Sequence, residues 1–470
     1  MTRTVLVISD LHLGGGPDFQ MCSPDGRALV AEFLAWTAHR ATAGEDIHLV
    51  VNGDLVDFLA ETPFKALTVN DSEATRKLGE IMRLSAPVWD GFQAVAKAGA
   101  QITILLGNHD LELTLPGPNA LLRERLGAGR IALLLDGQAL DLGDVLIEHG
   151  NSYDAWNLVD YDALRRIRSH ISRRIQPLPD FKAPPGSKLV VDVMNGVKRQ
   201  FRFVDLLKPE TDAVLPLLAA LASVSAEQLK LVATYFTESS LVQFGPDQRP
   251  LDPSKISARA AVEPVMPAGA ERALDLLDKN EAALVRDRVA HTDDAGRDPS
   301  RISAGGPLDF FRLWHARSKE RRAEMLGDLY DALRYRMAAH DAAFRIDAEQ
   351  TEYLTAANAS AARRFKTIVY GHTHLAKRVP LAKGATYLNT GTWADLMRLP
   401  QAVVQGNKTM ALGELAVFVD ALEANRLDEW RRPRPTFAQI VMDGRKQITA
   451  DVFTYSGGER VAPLSNEALR

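Results

Sequence analysis

A chain of 470 residues, 46% hydrophobic and 25% charged, holds enough apolar material for one large domain with insertions or for two or three domains. Its formal charge of −4 sets up no field favouring nucleic acid or a membrane surface, and no apolar stretch approaches the roughly 20 residues needed to span a bilayer. A single cysteine, Cys22, excludes an internal disulfide and a thiolate metal cluster, and the cytoplasm is the expected compartment.

Met1-Thr2-Arg3 leads straight into an apolar run, so no signal peptide is expected ahead of the fold. That run, Val5 to Ile8, ends at Ser9-Asp10-Leu11-His12. Arg27 to Ala43 carries Leu29, Val30, Phe33, Leu34 and Trp36 at helical spacing, and Leu49 to Val51 then ends at Asn52-Gly53-Asp54. A second helical stretch covers Ser72 to Lys97, where Pro87 is expected to kink it or split it in two. Ile102 to Leu106 ends at Gly107-Asn108-His109-Asp110, helix signals follow at Asn119 to Leu126, and Val145 to Ile147 ends at Glu148-His149-Gly150. Such alternation predicts a layered α/β core with short crossovers.

After His149 the pattern turns helical, with helices expected at Asp160 to Ile175, Asp212 to Phe236, Glu271 to His291, Leu308 to Phe344 and Glu349 to Phe365. Between them, 244–270 is rich in proline and 292–307 in glycine, aspartate and serine, as linkers and mobile loops are. Three parts are therefore expected: a core over 1–155, a helical insertion or cap over 156–361 that moves as a lid, and a second core part over 362–470. The last part opens with Ile368-Val369-Tyr370 before Gly371-His372-Thr373-His374. Strands are expected at Tyr387 to Thr392 and Leu415 to Val419, and a hairpin pairs 438–441 with 447–453 through Asp443-Gly444.

Five short apolar runs thus each end in a residue able to bind a metal. Short β-branched runs bounded by glycine and polar residues read as buried strands, and ligands just past their carboxyl ends gather at one edge of a sheet. Imidazole and carboxylate together suit borderline divalent ions such as manganese, iron and zinc.

The five blocks, Asp10-Leu11-His12, Gly53-Asp54-Leu55-Val56-Asp57, Gly107 to Asp110, His149-Gly150 and Gly371 to His374, resemble in order and content those of the calcineurin-like metallophosphoesterases. The resemblance implies a layered α/β/β/α sandwich, here interrupted by the large, mainly helical insertion. It implies two divalent metal ions, manganese first and iron or zinc as alternatives. Asp10, His12 and His374 would hold one ion and Asn108, His149 and His372 the other, with Asp54 bridging through its two oxygens. A hydroxide between the ions would attack phosphorus, His109 would protonate the leaving oxygen, and Asp110 would orient the His109 imidazole. Asp57 is read as a loop hydrogen-bonder or an orienter of a metal-binding histidine.

Two further features concern substrate. Asn151 to Asn157 follows His149-Gly150 directly, so Asn151 and Tyr153 are candidate substrate contacts; the other reading is an ordered loop with Trp156 packed on the cap. Arg165, Arg166, Arg168, Arg173 and Arg174 cluster on one expected helix, either gripping a second phosphate or forming a solvated face. Asn389 to Thr392 is expected to be a turn beside the site. His39, His48, His170, His291, His315 and His340 carry no ligand spacing and read as structural or surface residues.

The function implied is hydrolysis of a phosphodiester or pyrophosphate bond in a phosphorylated small molecule, nucleotide or lipid headgroup. In motif style the chain is nearest to the UDP-2,3-diacylglucosamine pyrophosphatase branch, which is shorter and often has Asp where Asn151 stands. The alternatives are a nuclease like the Mre11/SbcD group, against which the acidic balance argues, a protein phosphatase, and a non-catalytic scaffold on the same fold, against which the complete ligand set argues.

Overall fold

The computed structural model describes residues 2–207, 210–221, 322–339 and 345–465. The expected helix Glu271 to His291 and the loops 244–270 and 292–307, with their role as lid joints, lie outside the described residues. The chain falls into two compact units: Met1–Arg202, Ala342–Leu396 and Arg431–Arg470 form the first, and Phe203–Asp341 with Met397–Trp430 the second.

The first unit is built on two sheets. Strands β1 (Thr2–Ile8), β2 (Asp46–Asn52), β3 (Gln101–Leu105) and β4 (Arg130–Leu134) run parallel and side by side. Further along the chain come β5 (Leu140–Asp141), β6 (Val145–Ile147), β7 (Thr367–Tyr370), β8 (Lys377–Pro380) and β9 (Thr386–Asn389), which form a second sheet in the order β5-β6-β7-β9-β8. The short strands β10 (Asp395–Met397) and β11 (Arg431–Pro433) precede β12 (Thr436–Asp443), β13 (Lys446–Tyr455) and β14 (Val461–Pro463), which extend the first sheet antiparallel from β1.

The apolar runs read as continuous because both faces of their strands are buried, with Leu146 of β6 half-buried. In β1, Val5 and Val7 point between the sheets, where they meet Val50, Leu105, Val145, Ile147, Val369 and Leu388. Leu6 and Ile8 point the other way, onto Phe33, Leu34, Leu78, Trp89, Phe92 and Leu122 of the covering helices. The outer face of the second sheet puts Ile368, Tyr370 and Tyr387 against Tyr353, Ala357 and Ala361 of the helix Thr351–Arg363. Helix, sheet, sheet and helix are the layers expected.

Local signals set the helix ends. Ser23 accepts the Gly26 amide at 3.1 Å and starts Pro24–Thr42, with Pro24 in the first turn where its missing N–H is harmless. Pro87 splits the long stretch rather than bending it: Asp71–Leu84 ends at Ser85 and Ala86–Lys97 follows. The Ser85 hydroxyl bonds the Ile81 carbonyl and accepts the Trp89 indole N–H at 2.9 Å, sealing the break. The hairpin forms as expected, with Gly444 at φ 58° in the turn and a bulge between Val441 and Met442.

One expectation fails. Leu415 to Val419, in the second unit, is not a strand but the middle of the helix Lys408–Glu423. Ala411, Leu415, Phe418, Val419 and Leu422 are buried at helical spacing, and Asn407 caps the helix by accepting the Met410 amide at 3.2 Å. A short apolar run fits either period, and the cap decides.

His48 on β2 is buried against Thr103, Nε2 to Oγ1 2.8 Å, and burial, with Arg3 and Arg130 nearby, pushes its pKa down to about 4. The folded protein therefore resists a proton that the unfolded chain takes up below about pH 6.5. The corresponding stability is present above that pH and lost as pH falls towards 4, on the order of 3 kcal/mol. Urea unfolding at pH 7 and pH 4 should show a smaller acid loss for His48→Gln than for wild type; equal losses would refute this.

Candidate metal centre

Asp10 and His12 follow β1, Asp54 follows β2, Asn108 and His109 follow β3, His149 follows β6, and His372 and His374 follow β7. β1, β2 and β3 are neighbours in one sheet and β6 and β7 in the other, so all five loops open at carboxyl ends of parallel strands. Backbone bonds carry the β1–β2 pairing past the strand ends, from Asp10 N to Gly53 O at 3.1 Å and from His12 N to Asp54 O at 3.0 Å.

Five of the seven expected ligands sit in the left-handed region: Asp10 (φ 54°), His12 (46°), Asp54 (51°), His372 (68°) and His374 (63°). Residues with side chains rarely adopt this conformation, and each instance costs about 1–3 kcal/mol and persists only where surrounding structure enforces it. Two glycines let the loops approach: a Cβ on Gly107 would overlap Asp54 Oδ1, and one on Gly371 would lie 2.6 Å from Asp10 Oδ2.

The side chains converge in two groups that share Asp54. Asp10, His12, Asp54 and His374 each offer a ligand atom within 4.8 Å of the others, as do Asp54, His149 and His372. His12 Nε2 lies 3.0 Å from His374 Nε2, which is 3.4 Å from Asp10 Oδ1. The two oxygens of Asp54 face different partners. Oδ1 accepts the His109 amide at 2.9 Å, and Oδ2 alone faces His149 Nε2 at 3.3 Å and His12 Nε2 at 3.7 Å. His149 Nδ1 donates to the Asn52 carbonyl at 2.8 Å, which leaves Nε2 for the centre. Asn108 belongs here too: its Oδ1 is buried with no hydrogen-bond partner while Nδ2 donates to Asn157 Oδ1 at 3.2 Å. An orphaned amide oxygen among carboxylates and imidazole nitrogens suits a divalent cation.

The field inside the centre is strong. Burial pushes the Asp54 carboxyl up, but the imidazoles of His149, His109 and His12 outweigh it and hold the group well below the usual carboxylate range. Asp10 is likewise lowered, burial being overcome by His374 and His149. Burial works against a charge on His149, yet Asp54 and Asp10 raise it to about 10; burial and the neighbouring His109 push His12 down to about 3.

The Asp110 carboxylate, expected to orient His109, accepts Gly107 N at 2.8 Å and Leu55 N at 2.9 Å, so it ties the β3 loop to the β2 loop. Burial and the charge of Asp54 raise it to about 7. The carboxylate at His109 is Asp57, whose Oδ1 lies 3.1 Å from Nδ1 and also accepts the Leu59 and Ala60 amides.

Asn151 and Tyr153 turn inward. Asn151 is buried and donates to the Asn157 carbonyl at 2.9 Å; the Tyr153 hydroxyl donates to Glu148 at 2.8 Å and its ring stacks on Tyr370. Arg165 and Arg166 lie on the exposed face of Tyr161–Arg173, Arg165 paired with Asp162 at 2.8 Å and Arg168 with Asp136 at 2.9 Å. Asn389 to Thr392 braces the centre: Asn389 Nδ2 donates to Gly371 O at 2.7 Å and Thr392 Oγ1 to Asp10 O at 2.7 Å. Beside His374, a cavity of about 250 Å³ is lined by Thr392, Arg434, Thr436 and Tyr455 among others. Sequence reasoning assigned no role to Asp154, which lies 3.1 Å from His372 Nε2. The only signal for it was its place just after His149-Gly150.

Residues 3–198 match the family model described as calcineurin-like phosphoesterase. No curated protein matches the chain. The matched stretch stops short of His372 and His374, which β7 brings in beside β6.

Proposed function

From the premise that residues 3–198 are a calcineurin-like phosphoesterase domain, we propose that the chain hydrolyses a phosphodiester or pyrophosphate bond with the help of two divalent ions. The observation that carries this reading is Asp54 Oδ2, one carboxylate oxygen facing both ligand groups, with His109 held beside it.

Asp10, His12 and His374 would hold one ion, and Asn108, His149 and His372 the other; the mixed nitrogen and oxygen donors suit borderline divalent ions, with manganese the first candidate and iron or zinc the alternatives. When bound, two such ions clamp phosphoryl oxygens and lower the pKa of a water to near neutrality. His109 contacts the phosphoryl group and protonates the leaving oxygen. Asp57 holds its Nδ1, which leaves Nε2 as the nitrogen that gives up the proton. Asp110 keeps the loops carrying Asp54 and Asn108 in register.

The substrate is a phosphorylated small molecule, nucleotide or lipid headgroup, and the reaction belongs to the cytoplasm. No helix among the described residues is long and apolar enough to cross a membrane. Specificity in such folds is carried by loops and insertions, for which 156–361 is the candidate. The nuclease reading has less support, because Arg165 and Arg168 are already paired with acids.

Metal-stripped protein should regain hydrolysis of bis-p-nitrophenyl phosphate when Mn²⁺ is added. Two bound ions without turnover of this or any nucleotide, UDP-sugar or headgroup diester would overturn the reading. Asp57→Asn, which keeps the shape but removes the charge behind His109, should lower turnover about 10–100-fold at unchanged metal content. Full activity in that variant would assign Asp57 to loop structure alone.

A further inference from the structure

Two of the ligands assigned to the same ion share one support. Asp154 Oδ2 lies 3.1 Å from His372 Nε2 and 2.6 Å from Asn157 Nδ2, while Oδ1 accepts the Trp156 amide at 2.9 Å. Asn157 Oδ1 accepts from Asn108 Nδ2 at 3.2 Å. The turn that carries these groups is itself fixed: Asn157 N donates to Asp154 O at 3.0 Å, and Gly186 N to Trp156 O at 2.8 Å. Any side chain at Gly186 would press on Asn157 Oδ1, 2.6 Å from where its Cβ would stand.

The chemistry propagates from one charge. An ionised carboxylate only accepts hydrogen bonds, so Asp154 requires an N–H from both neighbours. A neutral imidazole has one N–H, and placing it on Nε2 leaves the lone pair of His372 on Nδ1. Turning the Asn157 amino group to Asp154 aims its carbonyl at Asn108, which must answer with Nδ2. Asn108 Oδ1 is thereby left over, buried and with no partner. Three groups whose orientation is otherwise ambiguous are set by one side chain.

We infer that Asp154 and Asn157 are positioning residues that set the tautomer of His372 and the amide orientation of Asn108, preparing both for one ion. The inference rests on the reading of Asn108 and His372 as ligands of the same ion. Its signature is selectivity, because Asp154 and Asn157 act on the His372 ring and the Asn108 amide, whereas Asp10 meets His372 through the His372 backbone N–H at 3.1 Å, a bond that a change of tautomer leaves in place.

The test is calorimetric titration of metal-free, full-length protein with Mn²⁺, together with the ¹⁵N signals of the His372 ring before metal is added. Asp154→Asn should weaken one of two ions about 10–100-fold, leave the other unchanged, and mix the His372 tautomers. Asn157→Ala should weaken the same ion but keep His372 protonated on Nε2, because Asp154 is intact. Equal weakening of both ions, no weakening, or an unchanged tautomer in Asp154→Asn would overturn the inference. A wild type that binds no ion would fail the two-ion reading itself, and the tautomer signal would then decide the role of Asp154 alone.

Discussion

His109→Ala should lower phosphodiester turnover by about 10²–10⁴-fold, the range associated with a single positioned proton donor, while both ions stay bound. The histidine is fixed from three sides: its amide is held by Asp54 Oδ1 at 2.9 Å, its carbonyl accepts Phe58 N at 3.1 Å, and its Nδ1 meets Asp57 at 3.1 Å. Its side chain is 18% exposed, whereas Asp10, His12 and Asp54 are at 0–1%. A group that reaches solvent at the lip of a buried ligand cluster can meet substrate without giving up a ligand. Turnover of diesters with progressively poorer leaving groups, measured beside metal content, checks this. The deficit should grow as the leaving group becomes more basic, and a flat deficit would remove His109 from proton transfer.

Asp54→Asn should reduce bound metal from two ions to at most one and depress turnover by more than the about 10–100-fold typical of an outer-sphere partner. The substitution keeps the shape of the side chain, so His109 N retains an acceptor. It removes the charge at Oδ2, the one atom facing both His149 and His12. It also removes the main support for the protonated form of His149, so in metal-free protein that imidazole should titrate well below its present value of about 10. Metal analysis after dialysis, with ¹H–¹⁵N spectra of His149 across pH, gives two independent readouts. Two ions retained at full occupancy would show that Asp54 is not shared.

The strands carrying the centre were legible because they are largely buried on both faces and so are written as apolar runs rich in β-branched residues. The candidate ligand positions were legible because each run ends in one, where the backbone of five of them turns left-handed. What stayed illegible depends on which way a side chain turns inside a loop. Asp57 and Asp110 each stand within three residues of an expected ligand. The choice between them falls to the amides of Leu55 and Gly107, which occupy Asp110. Asn151 and Tyr153 adjoin the centre in sequence yet spend their donors on Asn157 O and Glu148. The run Leu415 to Val419 was misread because five apolar residues do not define a period, whereas the cap at Asn407 lies eight residues upstream.

The meeting of β6 with β7 has a consequence for synthesis. His12 and His374 touch across 362 residues of chain, a separation that a ribosome adding 5–20 residues per second takes roughly 20–70 s to cover. Once His149 has been added, and for the rest of that interval, the emerging polypeptide owns Asp10, His12, Asp54, Asn108 and His149 but neither histidine of the last block. Each cluster is one imidazole short, and a cation arriving then meets an incomplete cage from which it can leave. Only when the later segment slots in beside the earlier one does retention become tight. On the two-ion reading proposed above, tight retention of both ions would begin only once the last block is in place, and hydrolysis would be withheld until then.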